Sequence, residues 1–339
     1  IRFKAKLMNI SLLGTGSWGT ALAIQLARRE HQVTLWGHRT DAVAAIDQQR
    51  ENVRYLPGIK LSDNIQLESS LTTTVKGCDA LLIATPSHAF REILQQIKTD
   101  IDSSTTLIWA SKGVEPTSHK LLHQAVEEEL GKDHPKAIIS GPTFAREVAE
   151  GLPTAVTIAA DSIDIAHSVA EIFHSKNFRC YTSTDIIGVE IGGATKNVLA
   201  IAAGIADGLG FGANTRAALI TRGLHELIRL GVALGGKQET FMGMGGLGDL
   251  ILTCTDNQSR NRRLGLAIGG GENIERAISS INQVVEGAQA ARDIVELAKA
   301  NSIEIPISEQ VSLVIHNNKE PQRAVQDLLQ RGIKHEMEF

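Results

Sequence analysis

The sequence predicts an α/β protein, a doubly wound domain over residues 1–186 followed by an all-helical domain over 187–339. Three observations carry this. Through the first half, short aliphatic and β-branched runs alternate with longer stretches of helical periodicity. The strand runs are apolar almost without interruption, as in a parallel sheet covered on both faces. After about position 186 the strand pattern stops, and apolar residues recur at spacings of three and four.

NISLLG (9–14), HQVTLWG (31–37), CDALLIAT (78–85), TTLIWA (105–110) and KAIIS (136–140) read as strands. WGTALAIQLARRE (18–30) and HAFREILQQIK (88–98) read as helices between them, and TAVTIAA (154–160) and NFRCYTS (177–183) continue the alternation. Residues 187–208, VVEGAQAARDIVELAKA (284–300) and EQVSLVIHN (309–317) read as helices of the second domain. The length of 339 residues suits two domains at roughly 150 each.

Composition excludes several classes. A formal charge of −4 gives no global field for nucleic acid or anionic membrane. The cysteines, Cys78, Cys180 and Cys254, form no CxxC, which suits a reducing, cytoplasmic compartment and neither a disulfide framework nor a zinc site. No apolar run reaches the ~18 residues of a membrane span, so the chain is expected not to be membrane-embedded. The opening IRFKAKLMN is too short and too polar for a signal peptide. His119, His123 and Glu127 have a spacing that could hold a metal on a helix, but solvated faces commonly carry such trios and no metal is expected.

GTGSWG (14–19) follows the first strand and opens the first helix. Gly14 permits the tight turn, Gly16 lets backbone approach a pyrophosphate, and Gly19 lets helix pack on strand, the pattern of a Rossmann-like dinucleotide site. The pyrophosphate would sit on amides at the helix N-terminus. The second strand ends in Gly37, His38 and Arg39, with no carboxylate before Asp41. An acidic residue there would select the free ribose of NAD(H), whereas Arg39 suits the 2′-phosphate, so NADP(H) is expected to be accepted and preferred.

The segment 191–206 is apolar or small except for Lys196, and an unpartnered buried ammonium is costly. On a helix its neighbours are Gly192, Gly193, Leu199 and Ala200, mostly tiny, as if a ligand must approach closely. Lys112 in ASKGVEP (110–116) and the turn SGPTFA (140–145) follow strands where open α/β sheets bind ligands. GMGGLGDLILTCTDNQSRNRR (243–263) sets four glycines before Asp249, then Ser259, Arg260 and Asn261, a group able to hold phosphate oxygens. Cys254 reads as a small core residue.

GTGSWGTALA, WGHR, SKG, GPTFA, GGATKNV, GFGANTRAALITRG and GLGDLILTCTDNQSRNRR, in this order over roughly 9–330, resemble the bacterial-type NAD(P)-dependent glycerol-3-phosphate dehydrogenases. Thr15 stands where that family commonly has Ala, and Thr195 where it commonly has an aliphatic residue. The resemblance implies a second domain like the C-terminal domain of 6-phosphogluconate dehydrogenase. It implies reversible reduction of dihydroxyacetone phosphate to sn-glycerol 3-phosphate with NAD(H) or NADP(H), feeding glycerophospholipid synthesis, and a possible homodimer. It further implies that Lys196 is the acid/base, working beside Lys112 and Asp249. Substrate contacts would come from Lys112, Gly141, Thr143, Lys196, Asp249, Ser259, Arg260 and Asn261. Cofactor contacts would come from Ser17, Trp18, His38, Arg39, Lys112, Ala145, Arg260, Val284 and Glu286. Val284 and Glu286 rest on the resemblance alone, since VVEG by itself reads only as a helix start.

For such a reaction Lys196 is expected to face a dry cleft between the domains. Burial and Lys112 would lower its pKa while Asp249 opposed that shift and oriented the ammonium. The alternatives are a related two-domain hydroxyacid or polyol dehydrogenase, which 259–261 argue against, and a non-catalytic NAD(P)H sensor, which should carry a partner- or DNA-binding element.

Overall fold

The computed structural model describes residues 7–281, 283–333 and 335–336; the first six residues of the N-terminal stretch discussed above lie outside them. Eight strands, β1 (Asn9–Leu13), β2 (Gln32–Trp36), β3 (Ile65–Glu68), β4 (Ala80–Ile83), β5 (Thr106–Trp109), β6 (Lys136–Ser140), β7 (Thr154–Ala160) and β8 (Phe178–Ser183), form one sheet in the order β3-β2-β1-β4-β5-β6-β7-β8. The chain leaves β1 towards one edge through β2 and β3 and returns on the other side at β4. Strand order thus reverses between β1 and β4, where open α/β sheets bind their ligands.

Two features depart from the expectation. β3 pairs with β2 at the sheet edge but has only Ile65 buried, so it carries no apolar run to read. β7 runs antiparallel to β6, although β7 and β8 are parallel to each other. The physical reason is the connection: the helix Ala145–Glu150 has six residues and rises about 9 Å, too short to carry the chain back along a strand. The chain re-enters the sheet at the end where it left.

Two compact units divide the chain. One holds the chain up to Lys112 with Leu122–Ile186; the other holds Gly113–Leu121 with the chain from Ile187 onward. The nine-residue excursion after Lys112 differs from the expected single boundary at 186/187. Val114 and Leu121 explain it, because both are buried in the aliphatic core of the helical unit.

That core is organised around the helix Ile186–Gly208. By length and composition this helix is long and apolar enough to cross a membrane, contrary to the expectation from the sequence, but 94% of its most apolar stretch is buried inside the protein. Glycine explains how a helix can be buried so fully. A Cβ on Gly204 or Gly208 would lie 2.2 or 2.5 Å from the carbonyls of Arg262 and Leu266. One on Gly265 or Gly269 of the helix Arg260–Gly269 would meet Ile201 and Ile205 carbonyls at 2.2 and 2.3 Å. Matched glycines four residues apart let the two backbones touch.

Candidate active site

In the sheet unit, Gly14 adopts φ +125°, donates its N–H to Trp36 O at 2.9 Å, and would place a Cβ 2.8 Å from Ala84 O. Gly19 packs closer still: its Cβ would lie 2.0 Å from Gly14 O. A Cβ on Gly16 would meet nothing within 4 Å, so backbone is open at the position that must admit a pyrophosphate. No side chain caps the helix Ser17–Arg28, which leaves its first amides without a side-chain partner, as an anion site requires. Nearby, Trp18 Nε1 and Thr85 Oγ1 are buried without a protein partner. Thr85 follows β4 and the loop follows β1, so these orphaned groups sit at the reversal of strand order. Open backbone, free helix amides and two orphaned polar atoms fit a dinucleotide.

Asn52, missed by the sequence reading, fixes this loop. It is 2% exposed, and its Nδ2 donates to Thr15 O and to Thr20 Oγ1, both at 2.8 Å. One side chain therefore ties Thr15, inside GTGSWG, and Thr20, just after it, to the segment after the second helix, and no spacing in the sequence signals it.

At the end of β2, His38 and Arg39 are exposed. Arg39 is forked onto Asp41, Nε to Oδ1 at 3.2 Å and Nη2 to Oδ2 at 2.5 Å, and the partnership holds the Asp41 carboxyl below the usual range. The side chains are 51% and 69% exposed, so solvent screens the pair and it contributes little.

At the ends of β5 and β6, Lys112 Nζ donates to Gly141 O at 3.4 Å, and Thr143 Oγ1 donates to the same carbonyl at 3.1 Å. Gly141 has φ +149°, and a Cβ there would approach Ala155 O at 3.0 Å. Lys112, Gly141 and Thr143 thus cluster, with Ala145 opening the next helix.

In the helical unit, Lys196 is 6% exposed and donates to Asp249 Oδ1 and, at 3.1 Å, to Thr253 Oγ1. Thr253 Oγ1 in turn donates to Asp249 O at 2.6 Å. Asp249 is fully buried and supplies the counter-charge a buried ammonium requires. It opens the helix Asp249–Thr255 immediately after a π-helical turn, Met244–Gly248, a geometry common at functional sites.

That turn corrects the expectation about the small neighbours of Lys196. A Cβ on Gly192 would lie 2.2 Å from Gly245 O, so Gly192 makes room for the glycine turn that delivers Asp249, not for a ligand. Leu199 and Ala200 are core residues. Thr253 was missed, although it stands four residues after Asp249 on the same helix and shares its face.

The 259–261 group is more internally engaged than a bare phosphate clamp. Ser259 caps the helix Arg260–Gly269, its Oγ accepting from Arg262 N at 3.2 Å. Asn261 Nδ2 donates to Asn197 Oδ1 at 2.8 Å, and Asn261 Oδ1 accepts from Gly287 N at 2.9 Å. These bonds link the residue after Lys196 to the helix start at Glu286 and leave one Asn261 amide hydrogen for a ligand. Arg260 is tethered through Nη1 to Val284 O at 2.8 Å. Arg260, Val284 and Glu286 are therefore neighbours. Arg262, 7% exposed, locks the same helix by donating to Cys254 O, Asn257 Oδ1 and Asp207 Oδ2. Cys254 is buried and its thiol is pushed up to about 12 by burial, a core residue and no nucleophile.

His119, His123 and Glu127 do not form a helical trio. His119 has left-handed backbone, φ +55°, and lies before the helix Leu122–Leu130 that carries the other two. Among the described residues no group of three metal-binding side chains is present.

A dinucleotide loop at the switch point of a doubly wound sheet, followed by a helical unit with a buried lysine–aspartate pair, defines a two-domain nicotinamide-nucleotide dehydrogenase. The particular family follows from comparison. Residues 9–166 match the N-terminal part, and residues 185–326 the C-terminal part, of the NAD-dependent glycerol-3-phosphate dehydrogenases, and the chain belongs to this family. It is 52% identical over 323 residues to glycerol-3-phosphate dehydrogenase [NAD(P)+] of Pseudoalteromonas translucida, covering 95% of this chain and 96% of that one. The corresponding protein of Thioalkalivibrio sulfidiphilus is 51% identical, with 96% and 98% covered. A crystal structure of glycerol-3-phosphate dehydrogenase from Coxiella burnetii superposes with a TM-score of 0.93 at 46% identity, covering 96% and 99% of the two chains.

Proposed function

We propose that this chain catalyses the reversible reduction of dihydroxyacetone phosphate to sn-glycerol 3-phosphate, accepting both nicotinamide cofactors and preferring NADP(H). The product suits entry into glycerophospholipid synthesis. The observation that carries the reading is the Lys196–Asp249–Thr253 cluster, joined through Asn197 and Asn261 to the capped helix that begins at Arg260.

Reduction of a ketone needs a hydride at carbon and a proton at oxygen; the reduced nicotinamide supplies the hydride. Lys196 delivers the proton to the C2 oxygen and, in the oxidative direction, takes it back from the hydroxyl. Asp249 and Thr253 hold Nζ in one position, so no reorganisation is needed when the proton moves. Arg260, the free amide hydrogen of Asn261 and the first amides of the helix Arg260–Gly269 hold the phosphate. Lys112 and Thr143 add a cation and a hydroxyl beside Gly141 as further substrate contacts. The amides of Ser17 and Trp18 receive the pyrophosphate, and His38 and Arg39 read the 2′-position. Buried and half-buried thiols without disulfides suit a cytoplasmic enzyme.

The test is NADPH oxidation by the purified chain with dihydroxyacetone phosphate and with unphosphorylated dihydroxyacetone. Charge-assisted phosphate contacts of about 1.5–3 kcal/mol each predict kcat/KM higher for the phosphate ester by at least about 10²-fold. Equal rates on both, or no turnover on either, would remove this reading.

A further inference from the structure

The helical unit contains a cavity of about 420 Å³ that shares no lining residue with the groups assigned above. Its volume lies within the roughly 300–1,000 Å³ of small-molecule sites. Its walls come from the C-terminal half of the helix Ile186–Gly208 and from the helices Ala213–Ala233, Pro306–Asn317 and Pro321–Leu329. Ile205, Leu219, Val311, Val314 and Leu328 make it chiefly aliphatic. Among the described residues no aromatic side chain lines the cavity, so these walls offer no stacking face to a nucleobase or another planar ring.

The polar groups are of one prevailing sign. Among the described residues, Arg222, Arg229 and Arg331 line the cavity, against one carboxylate, Glu226. Glu226 is 2% exposed and is consumed by the protein: it accepts from Ile307 N at 2.5 Å, Ser308 N at 3.1 Å and Ser308 Oγ at 3.0 Å, capping the helix Pro306–Asn317. Arg331 is ion-paired with Glu304 at 2.9 Å. Arg222 and Arg229 each donate from Nη1 to a main-chain carbonyl, those of Glu336 at 3.1 Å and Glu304 at 2.5 Å. Among the described residues these hydrogen-bond acceptors are uncharged; Arg229 also lies within electrostatic reach of the Glu226 carboxylate, and one hydrogen bond leaves most of each guanidinium's five donors for another oxygen.

An aliphatic chamber with cationic side chains on its wall complements a molecule with a flexible hydrocarbon tail and one anionic head. We propose that this cavity is a second ligand site, for a small amphiphilic anion such as an aliphatic carboxylate or alkyl phosphate, with Arg222 and Arg229 holding the head. Ala202 on its wall is six residues beyond Lys196 on the same helix, about 9 Å along the axis, so occupant and acid/base share one rigid element.

The experiment is titration calorimetry of the full chain with decanoate and decyl phosphate below their micelle concentrations, with decyltrimethylammonium as the cationic control. The site predicts saturable one-to-one binding of one or both anions and none of the cation. Ala218→Trp fills the chamber from an exposed wall position, and Arg222→Glu with Arg229→Glu reverses the charge. Each change should weaken binding by about tenfold or more while NADPH oxidation shows the variants still folded. Saturation by carboxylate but not phosphate, or the reverse, identifies the head group and supports the site. Equal binding of the cation, binding indifferent to both variants, or no saturable binding of either anion would overturn it.

Discussion

Asp249→Asn removes the carboxylate that Lys196 contacts while keeping the side chain's shape. The side chains of Lys196 and Asp249 are 8% and 0% exposed, so neither charge can turn to water. Breaking a buried pair from one side costs about 3–5 kcal/mol, and asparagine, which still offers an oxygen, should fall near 3. That is a large part of a total of roughly 5–15 kcal/mol. Lys196→Met leaves the buried Asp249 charge without its ammonium counter-charge, and should cost a similar amount. The double variant has no stranded charge, so it should lose about 2–3 kcal/mol less than the sum of the singles. Activity should behave differently: each variant should lose at least about 10² in kcat, with no recovery in the double. Urea denaturation gives the stabilities and steady-state NADPH oxidation the rates. Additive losses of stability, or Asp249→Asn turnover within about threefold of wild type, would refute the pairing.

Arg39→Asp should shift the ratio of kcat/KM for NADPH over NADH downward by about tenfold or more, because it removes the guanidinium and repels a 2′-phosphate; an unmoved ratio leaves Arg39 as a surface residue. Thr195→Val should raise unfolding free energy by about 1 kcal/mol, since Thr195 is fully buried and its hydroxyl lacks a partner. A lower stability by urea titration would show that the hydroxyl is satisfied after all. Burial raises the Glu226 carboxyl from 4.5 to about 7. Between those values the folded state binds the extra proton, so this contribution is fully present below pH 4.5 and is lost as pH rises through about 7. It amounts to roughly 3 kcal/mol, and the stability difference between wild type and Glu226→Gln should move against wild type on going from about pH 5 to about pH 8. A pH-independent difference would contradict this.

Features that depend on local periodicity were readable in the sequence. The alternation of strands and helices, the glycine loop and the lone lysine in an apolar helix all follow from residue type at fixed spacing, and GTGSWG met the expected geometry. Features that depend on what one segment finds opposite it were not readable. Gly192 looked like clearance for a ligand because its partner, Gly245, is more than fifty residues away in sequence and its turn is π-helical. Asn52 gave no signal because a buried loop anchor needs only an amide at the right place in space. The direction of β7 depends on how far a six-residue helix can carry the chain, a length effect that apolar patterning does not encode. The excursion Gly113–Leu121 follows from where Val114 and Leu121 find a core.

The central claim is that Lys196 moves the proton, and Lys196→Ala tests it most directly. Single-turnover and steady-state reduction of dihydroxyacetone phosphate should be measured beside NADPH affinity by fluorescence titration. The account predicts a fall in kcat of about 10²–10⁴-fold with NADPH affinity nearly unchanged, because Lys196 acts on the substrate's oxygen and not on the nucleotide. A folded variant that retains more than about a tenth of wild-type kcat would contradict it.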